Sequence, residues 1–162
     1  MNALSSISLT VVLLFLTLPV SAQTTKLYGN VVGITDGDTI TILTDDKRSI
    51  KVRLVEIDAP EKNQPWGQRS KQALSNLIFS LNVSVASHGE DRYGRTLGTV
   101  YLGDLNVNKQ MVVKGNAWAY TQYVRDQDYF ALQKNAESRK VGLWSLAQDQ
   151  ITEPWIWRKQ KK

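Results

Sequence analysis

The first half of the chain alternates between apolar and polar residues with the period of two that is typical of β-strands. This pattern predicts strands at Tyr28–Ile34, Thr39–Leu43 and Ser49–Ile57, separated by polar turns. Pro60 is expected to end the third strand, because proline cannot donate a hydrogen bond to a sheet. Along that strand, alternate apolar positions predict one face turned towards a core.

Beyond Pro60 the apolar spacing becomes helical in three places, with two further strand-like stretches between them. The predicted helices are Gly67–Leu81, Val107–Lys114 with Asn106 as N-cap and Gly115 after its end, and Asp128–Val141 before Gly142. The additional strands are Val83–Ser87 and Thr96–Leu102. Five short strands with helices after the third and fifth predict an α+β fold. Closure into a small barrel would leave no strand edge unpaired.

Residues 1–22 contain no Lys, Arg, Asp or Glu and include the apolar run Leu9–Leu18. Val20 and Ala22 are small residues at the positions that a signal peptidase reads. The pattern predicts a signal peptide at 1–22, a mature domain at 23–162, and a secreted or periplasmic protein with no stable membrane association after cleavage. A retained membrane anchor is the alternative, although the run is shorter than the ~20 residues of a membrane span.

Composition limits the class of protein and suggests its partners. The 162 residues suit one domain, which we expect to be monomeric, and the absence of cysteine means that the fold must rest on its core. The net charge of +5 favours polyanionic partners such as nucleic acids.

Three separated segments combine acidic residues with arginines. They are Asp36-Gly37-Asp38-Thr39, the stretch from Arg53 to Glu61, and Asp91-Arg92-Tyr93-Gly94-Arg95. Taken singly, each is an ordinary polar turn or strand end. Their combination in one small domain is more informative than any of them alone.

Together the three segments supply the groups that phosphodiester hydrolysis needs. Asp38 and Asp58 offer the oxygen ligands that Ca²⁺ prefers, and no pair of histidines or thiolates favours zinc. Glu61, three residues after Asp58, could accept a proton from water as a general base. Arg53 and Arg95 could bind phosphate oxygens and stabilise the charged transition state.

These motifs, in this order, resemble the thermonuclease family, the proteins similar to staphylococcal nuclease. The resemblance extends from about Val31 to Ser145. It implies an OB-fold, that is, a five-stranded β-barrel with about three helices packed on it. It also implies Ca²⁺-dependent cleavage of DNA and RNA that leaves 3′-phosphate and 5′-hydroxyl ends.

The resemblance also implies a role for each matching residue of the catalytic centre. Asp38 and Asp58 match the metal-binding carboxylates, and Ala59 matches the position whose backbone carbonyl is the third protein ligand. Glu61 matches the general base. Arg53 and Arg95 match the arginines that bind the phosphate.

Aromatic and basic residues near the site match substrate-binding positions of the family. Arg92 and Tyr93 lie beside the expected position of the terminal phosphate and base, while Tyr120 and Tyr123 match a stretch whose tyrosines contact the nucleotide. Aromatic rings can stack on any base, which suits broad specificity. Trp118, in the same stretch, is instead expected to pack in the core.

Two other functions remain open. An OB-fold could bind single-stranded nucleic acid or an oligosaccharide without cleaving it, and two carboxylates could serve a glycosidase. The complete set of three carboxylates and two arginines favours the nuclease over both. The segment 154–158 could pack on the barrel or extend a nucleic-acid groove, and a solvated tail is expected for the basic cluster from Arg158 to Lys162.

Overall fold

The computed structural model describes residues 25–160, so the predicted signal peptide lies outside the described residues. Eight strands run in chain order: β1 (Lys26–Ile34), β2 (Thr39–Leu43), β3 (Ser49–Leu54), β4 (Ile57–Asp58), β5 (Asn82–Glu90), β6 (Thr96–Leu102), β7 (Leu105–Asn106) and β8 (Trp118–Ala119). The four α-helices are α1 (Gly67–Ile78), α2 (Val107–Val113), α3 (Asp128–Ser138) and α4 (Pro154–Gln160). Two 3₁₀ turns, Gly142–Ser145 and Gln148–Gln150, connect α3 to α4.

The five long strands form a closed barrel in the order β3-β2-β1-β5-β6. Neighbours in this order are antiparallel, and a parallel pairing between β3 and β6, in which Val52 lies opposite Thr96, closes the barrel. Closure removes the exposed edges that an open five-stranded sheet would have. The α+β class and the OB-type barrel are therefore confirmed, with four helices where about three were expected.

The barrel interior is filled by the apolar residues of the alternating pattern. On β3, Val52 and Leu54 are completely buried, whereas Lys51 and Arg53, which alternate with them, are not. Leu74 and Ile78 of helix α1 pack on the barrel. They form one continuous core with the buried apolar residues of the strands. Burial of this apolar surface is the main stabilising contribution to such a fold.

Several predicted boundaries are wrong, and the backbone explains why. The third strand stops at Leu54 instead of Ile57, because Glu56 adopts a left-handed conformation (φ 64°) in a turn. The first helix ends at Ile78 instead of Leu81, since Phe79 is already extended. The third helix ends at Ser138 instead of Val141. The predicted N-cap is confirmed: the side chain of Asn106 accepts a hydrogen bond from the backbone N–H of Lys109.

A second apolar cluster lies outside the barrel and holds the C-terminal part of the chain. Trp118 and Trp144 meet edge to face at 4.4 Å between ring centroids, and Trp155 of α4 packs against Trp118 at 6.0 Å. The prediction that Trp118 packs in the interior is confirmed. The cluster fixes α4, a helix that the sequence pattern did not predict, next to β8.

Among residues 25–160, no helix has the length and apolar character needed to cross a bilayer.

Candidate active site

The first acidic segment places Asp38 immediately before β2, in a buried position. The Asp36 side chain accepts a hydrogen bond from the Asp38 backbone N–H at 3.1 Å, which fixes the turn. Gly37 is required there, since a Cβ atom on it would lie 1.9 Å from the Oγ atom of Ser70 and 2.7 Å from the Cβ atom of Ala59. The turn therefore packs directly against α1 and the second acidic segment.

Asp58 ends β4, which the turn at Val55–Glu56 separates from β3. This strand pairs with β8, where Asp58 lies opposite Trp118. A hydrogen bond of 2.6 Å runs from the Ala59 backbone N–H to Oδ2 of Asp38. Two segments that are 20 residues apart in the sequence are thus connected directly. Asp38 and Asp58 are 5% and 1% exposed.

Arg53 lies between the two aspartates. Its Nε is 3.2 Å from Oδ1 of Asp38, and its Nη2 is 3.0 Å from Oδ1 of Asp58. Its Nη1 donates to the backbone carbonyls of Leu54 and Ile57, so the guanidinium is fixed from several sides. The sequence predicted that Arg53, Asp38 and Asp58 would converge, and the structure brings these three residues together.

Burial makes the ionised form of both aspartates costly. Loss of hydration raises the pKa of Asp38 to about 7, an effect that the charge of Arg53 opposes and that Asp36 and Asp58 reinforce. Burial also raises the pKa of Asp58, against the lowering effects of Arg158 and Arg53. The two buried carboxylates repel each other, and the guanidiniums of Arg53 and Arg158 offset part of that repulsion.

Glu61 lies on the loop that follows Asp58, and hydrogen bonds to the Glu61 backbone hold it in place. The Gln64 side chain accepts the Glu61 backbone N–H at 3.0 Å, and the Gln64 backbone N–H donates to the Glu61 carbonyl at 2.9 Å. Gly67 begins α1 so close to this loop that a Cβ atom on it would lie 1.9 Å from the Glu61 carbonyl oxygen. The Glu61 side chain is 41% exposed and shares an ion-pair partner with Asp58.

That shared partner is Arg158 of α4, which sequence reasoning missed. Its Nη2 is 2.7 Å from Oδ2 of Asp58, and its Nη1 is 2.8 Å from Oε1 of Glu61 and 3.2 Å from Oδ1 of Asp58. The solvated tail predicted for the basic cluster is wrong at this position, although Lys159 and Gln160 are exposed. The only signal in the sequence was an arginine beside two tryptophans.

Arg95 lies in the hairpin between β5 and β6. Its guanidinium pairs with Asp91 at 2.7 Å and approaches the Tyr93 ring at 5.6 Å. The contacts described for it include none with Asp38, Asp58 or Glu61. The β3–β6 register nevertheless places Leu97 opposite Arg53, and Arg95 precedes Leu97 by two residues, which puts both arginines on the same outer side of the barrel.

The candidate substrate-binding residues form two groups. Arg92 approaches the ring of Tyr93 at 5.1 Å, and Tyr93 is 68% exposed. Tyr120 meets Tyr123 edge to face at 4.6 Å, close to the aspartates: burial and the charge of Asp58 raise the pKa of Tyr120. Tyr120 and Tyr123 therefore lie on the active-site side of the barrel.

Hydrogen bonds to the backbone and side chain of Glu56 hold the loop that carries these tyrosines. The Glu56 carbonyl accepts the backbone N–H of Tyr120 at 2.9 Å, and its carboxylate accepts those of Arg125 and Asp126, each at 2.8 Å. Because Glu56 forms the turn before Asp58, one residue links the tyrosine-bearing loop to the acidic cluster.

The donor set fits a hard cation, with few protein ligands. Across residues 25–160, no three His, Cys, Asp or Glu side chains converge as a metal-binding group. Asp38 and Asp58 remain as side-chain donors, together with the backbone at Ala59. Such a set suits a cation that prefers oxygen and keeps several water or substrate ligands.

Comparison with known proteins agrees with this arrangement. Residues 51–146 match the family described as "Staphylococcal nuclease homologue", which is more than half of the chain. The chain belongs to the staphylococcal nuclease family. The predicted resemblance is thereby confirmed.

Individual relatives of the staphylococcal nuclease family support the assignment. An uncharacterized endonuclease of Haemophilus influenzae is 49% identical over 156 residues, which cover 96% of this chain and 86% of the relative. Protein ParB of Escherichia coli is 45% identical over 146 residues, which cover 83% of this chain and 81% of the relative. A micrococcal nuclease of Shigella flexneri is 43% identical over 145 residues, which cover 83% of this chain and 82% of the relative. Asp38 and Arg158 lie outside the residues that match the family description.

Proposed function

We propose that this protein is a Ca²⁺-dependent endonuclease that hydrolyses phosphodiester bonds in DNA and RNA and leaves 3′-phosphate and 5′-hydroxyl ends. The observation that carries the proposal is that Arg53 pairs with both Asp38 and Asp58, while Asp58 shares the partner Arg158 with Glu61. Membership of a nuclease family and relatives named as nucleases support the reaction class. The choice of calcium is supported by the oxygen donors and by the resemblance, and the end groups are supported by the resemblance alone.

The carboxylates and their neighbours would hold the cation. Asp38 and Asp58 would bind it through side-chain oxygens, and Ala59 through its backbone carbonyl. A bound Ca²⁺ would polarise the phosphate and orient the attacking water. The hydrogen bond from the Ala59 N–H to Asp38 keeps these donors in one rigid group.

Glu61 and the arginines would carry out the remaining chemistry. Glu61 is accessible enough to accept a proton from water, and its loop is fixed by Gln64. Arg53, fixed by backbone carbonyls, would donate hydrogen bonds to the phosphate as negative charge develops. Arg95 would bind the phosphate from the neighbouring strand, after exchanging its contact with Asp91.

The exposed aromatic and basic residues would hold the rest of the substrate. Tyr93, Tyr120 and Tyr123 would stack on bases, and Arg92 would bind a phosphate. Such contacts do not depend on the base sequence, which suits cleavage of both DNA and RNA. The net charge of +5 would attract either polyanion.

We also propose that residues 1–22 are removed on export and that the mature protein acts as a monomer in the periplasm or outside the cell. The support is the uncharged apolar segment, with small residues before the expected cleavage point. Mass spectrometry of the protein recovered from expressing cells would locate the first residue of the mature chain.

Replacing Glu61 by Gln tests the catalytic role directly. Gln keeps the shape and a hydrogen-bond acceptor but cannot take a proton, so kcat should fall by ~10²–10⁴-fold. Affinity for a single-stranded oligonucleotide should change little. The matched control is Glu137→Gln on α3, which should keep full activity. Near-normal turnover by Glu61→Gln would exclude Glu61 as the base. If the wild-type protein binds nucleic acid and never cleaves it, the protein is a binding module.

A further inference from the structure

The C-terminal helix α4 reaches the proposed catalytic carboxylates through one side chain. Arg158 forms ion pairs with Asp58 at 2.7 Å and with Glu61 at 2.8 Å. In the sequence, Arg158 lies 97 residues after Glu61 and 100 residues after Asp58. The C-terminal segment therefore contributes a second guanidinium, besides Arg53, to the group of carboxylates.

The position of α4 is fixed by contacts that precede Arg158 in the chain. Pro154 is buried, and the Trp155 ring stacks on the Tyr120 ring at 5.2 Å with an interplanar angle of 8°. Before the helix, the Gln64 side chain donates to the Thr152 carbonyl at 2.6 Å while accepting the Glu61 N–H. One buried glutamine thus ties the Glu61 loop to the segment that carries Arg158.

The two arginines that contact Asp58 differ in their freedom to move. Arg53 is 14% exposed and is bound by backbone carbonyls as well as by both aspartates. Arg158 is 40% exposed, and the described partners of its guanidinium are side chains: the carboxylates of Asp58 and Glu61, and the hydroxyl of Tyr120. Arg158 is therefore the more easily released of the two cations, because water reaches its guanidinium and none of its described partners is a backbone carbonyl.

The balance of charge gives Arg158 a reason to leave. Three carboxylates face two guanidiniums, so the group carries one excess negative charge when all five side chains are ionised. A divalent cation at Asp38 and Asp58 would turn this into one excess positive charge. The single negative charge of a phosphodiester would restore neutrality, and the guanidinium fork of Arg158 is suited to bind it.

We propose that Arg158 is a further phosphate-binding arginine of this active site, which pairs with Asp58 and Glu61 until a divalent cation binds and then transfers to the substrate phosphate. The proposal rests on the proposed function. It gives α4 a role in catalysis: release of Arg158 frees Glu61 to act as the base and delivers a guanidinium to the substrate at the same time.

The test compares Arg158→Gln and Arg158→Lys with Lys159→Gln, a neighbouring control on an exposed position of α4. The first measurement is calorimetric titration of Ca²⁺ into chelator-treated protein. Arg158→Gln should bind Ca²⁺ more tightly, by about fivefold, because a competing ion pair is gone. Lys159→Gln should match the wild type. Unchanged or weaker Ca²⁺ binding by Arg158→Gln would overturn the proposal, provided that its thermal unfolding matches that of Lys159→Gln, which excludes damage to the fold as the cause.

The second measurement is fluorescence anisotropy with a labelled single-stranded phosphorothioate oligodeoxynucleotide, in chelator and in Ca²⁺. In chelator, Arg158→Gln should bind the oligonucleotide as tightly as the wild type does. In Ca²⁺ it should bind ~10-fold more weakly than the wild type, because Arg158 contacts phosphate only after its release from the carboxylates. Arg158→Lys should fall between them, since it keeps the charge without the fork. An equal loss in both conditions would overturn the transfer of Arg158 to the substrate.

The third measurement is steady-state cleavage at saturating Ca²⁺. Loss of a phosphate-binding guanidinium should lower kcat/KM of Arg158→Gln by ~10²-fold. A rise in kcat/KM would show instead that α4 obstructs the site, and would overturn the proposal. If the wild type does not cleave, the proposed function fails, while the Ca²⁺ titration and the oligonucleotide binding still decide the role of Arg158.

Discussion

Asp38 is a buried carboxylate whose ionised form destabilises the folded protein. An ionised carboxylate at 5% exposure has lost most of its hydration, and Arg53 compensates only in part. Such groups are common at active sites, where their cost is offset when a ligand binds. Under the proposed function, bound Ca²⁺ would supply that compensation.

The cost should be visible in the pH dependence of unfolding. Because the pKa of Asp38 is raised from 3.8 to about 7 in the folded protein, folding favours the protonated form. The contribution of Asp38 to stability is therefore greatest below pH 4 and falls as the pH rises towards 7. Asp38→Asn cannot ionise. In the presence of a chelator, its free energy of unfolding relative to wild type should increase between pH 4 and 7.

Asp46 provides a control of opposite sign for that measurement. Hydrogen bonds from Thr44 and Arg48 lower the pKa of Asp46 at the protein surface. Its contribution is thus present at neutral pH and lost on acidification, so Asp46→Asn should become less stable relative to wild type as the pH rises. Chemical denaturation at several pH values would measure both variants. Parallel pH profiles for Asp38→Asn and wild type would contradict the account of Asp38.

Gly67 shows a second residue-scale effect, in which helix propensity and packing oppose each other. Alanine normally stabilises a helix relative to glycine by about 1 kcal/mol. Here the added Cβ would lie 1.9 Å from the Glu61 carbonyl oxygen, so the loop must move. Gly67→Ala should destabilise the protein by ~1–3 kcal/mol and lower kcat more than tenfold, through displacement of Glu61.

Gly33→Ala is a matched control for Gly67→Ala, because its new Cβ would make only an ordinary contact of 3.4 Å with Thr41. Thermal unfolding and steady-state kinetics of the two variants would separate a general effect of alanine from the specific contact. Equal, small effects on kcat would show that the Glu61 loop does not depend on Gly67.

At the scale of elements, the sequence predicted what repeats locally and missed what depends on distant contacts. Alternation located the five barrel strands, and capping residues such as Asn106 located helix starts. The break at Glu56 was missed, because its left-handed backbone is imposed by the pairing of β4 with β8 and leaves no local signal.

Helix α4 was missed for the same reason. Seven residues are too few for a helical repeat to be recognised, and isolated helices of this length are unstable in water. It is held by contacts of Trp155 with Tyr120 and Trp118, which are distant in the sequence. The position of Arg158 in the site could not be predicted without that docking.

The candidate site itself was largely predictable, because it consists of short segments at strand ends. Asp38 precedes β2, Asp58 ends β4, and Arg53 lies on β3 between them. The antiparallel pairing of β2 with β3 places Thr39 opposite Arg53, which brings the first two segments together. Arg95 belongs to the same side of the barrel through the parallel pairing of β3 with β6, and its predicted role in binding phosphate stays a prediction.

At the scale of the whole molecule, a small closed barrel carries the carboxylates and arginines on one side, and a tryptophan cluster attaches the C-terminal helix there. The chain achieves this without disulfides. Under the proposed function, packing on this core would hold the backbone at Asp38, Asp58 and Glu61 in the preorganised arrangement that electrostatic catalysis requires.

The most direct test of the central claim is cleavage of an end-labelled oligonucleotide by the purified mature protein, with Ca²⁺ or with EGTA, followed by analysis of the product ends. The account predicts rapid internal cleavage in Ca²⁺ with 3′-phosphate and 5′-hydroxyl ends, and almost complete loss of activity in EGTA that added Ca²⁺ restores. Cleavage that continues unchanged in EGTA would contradict it.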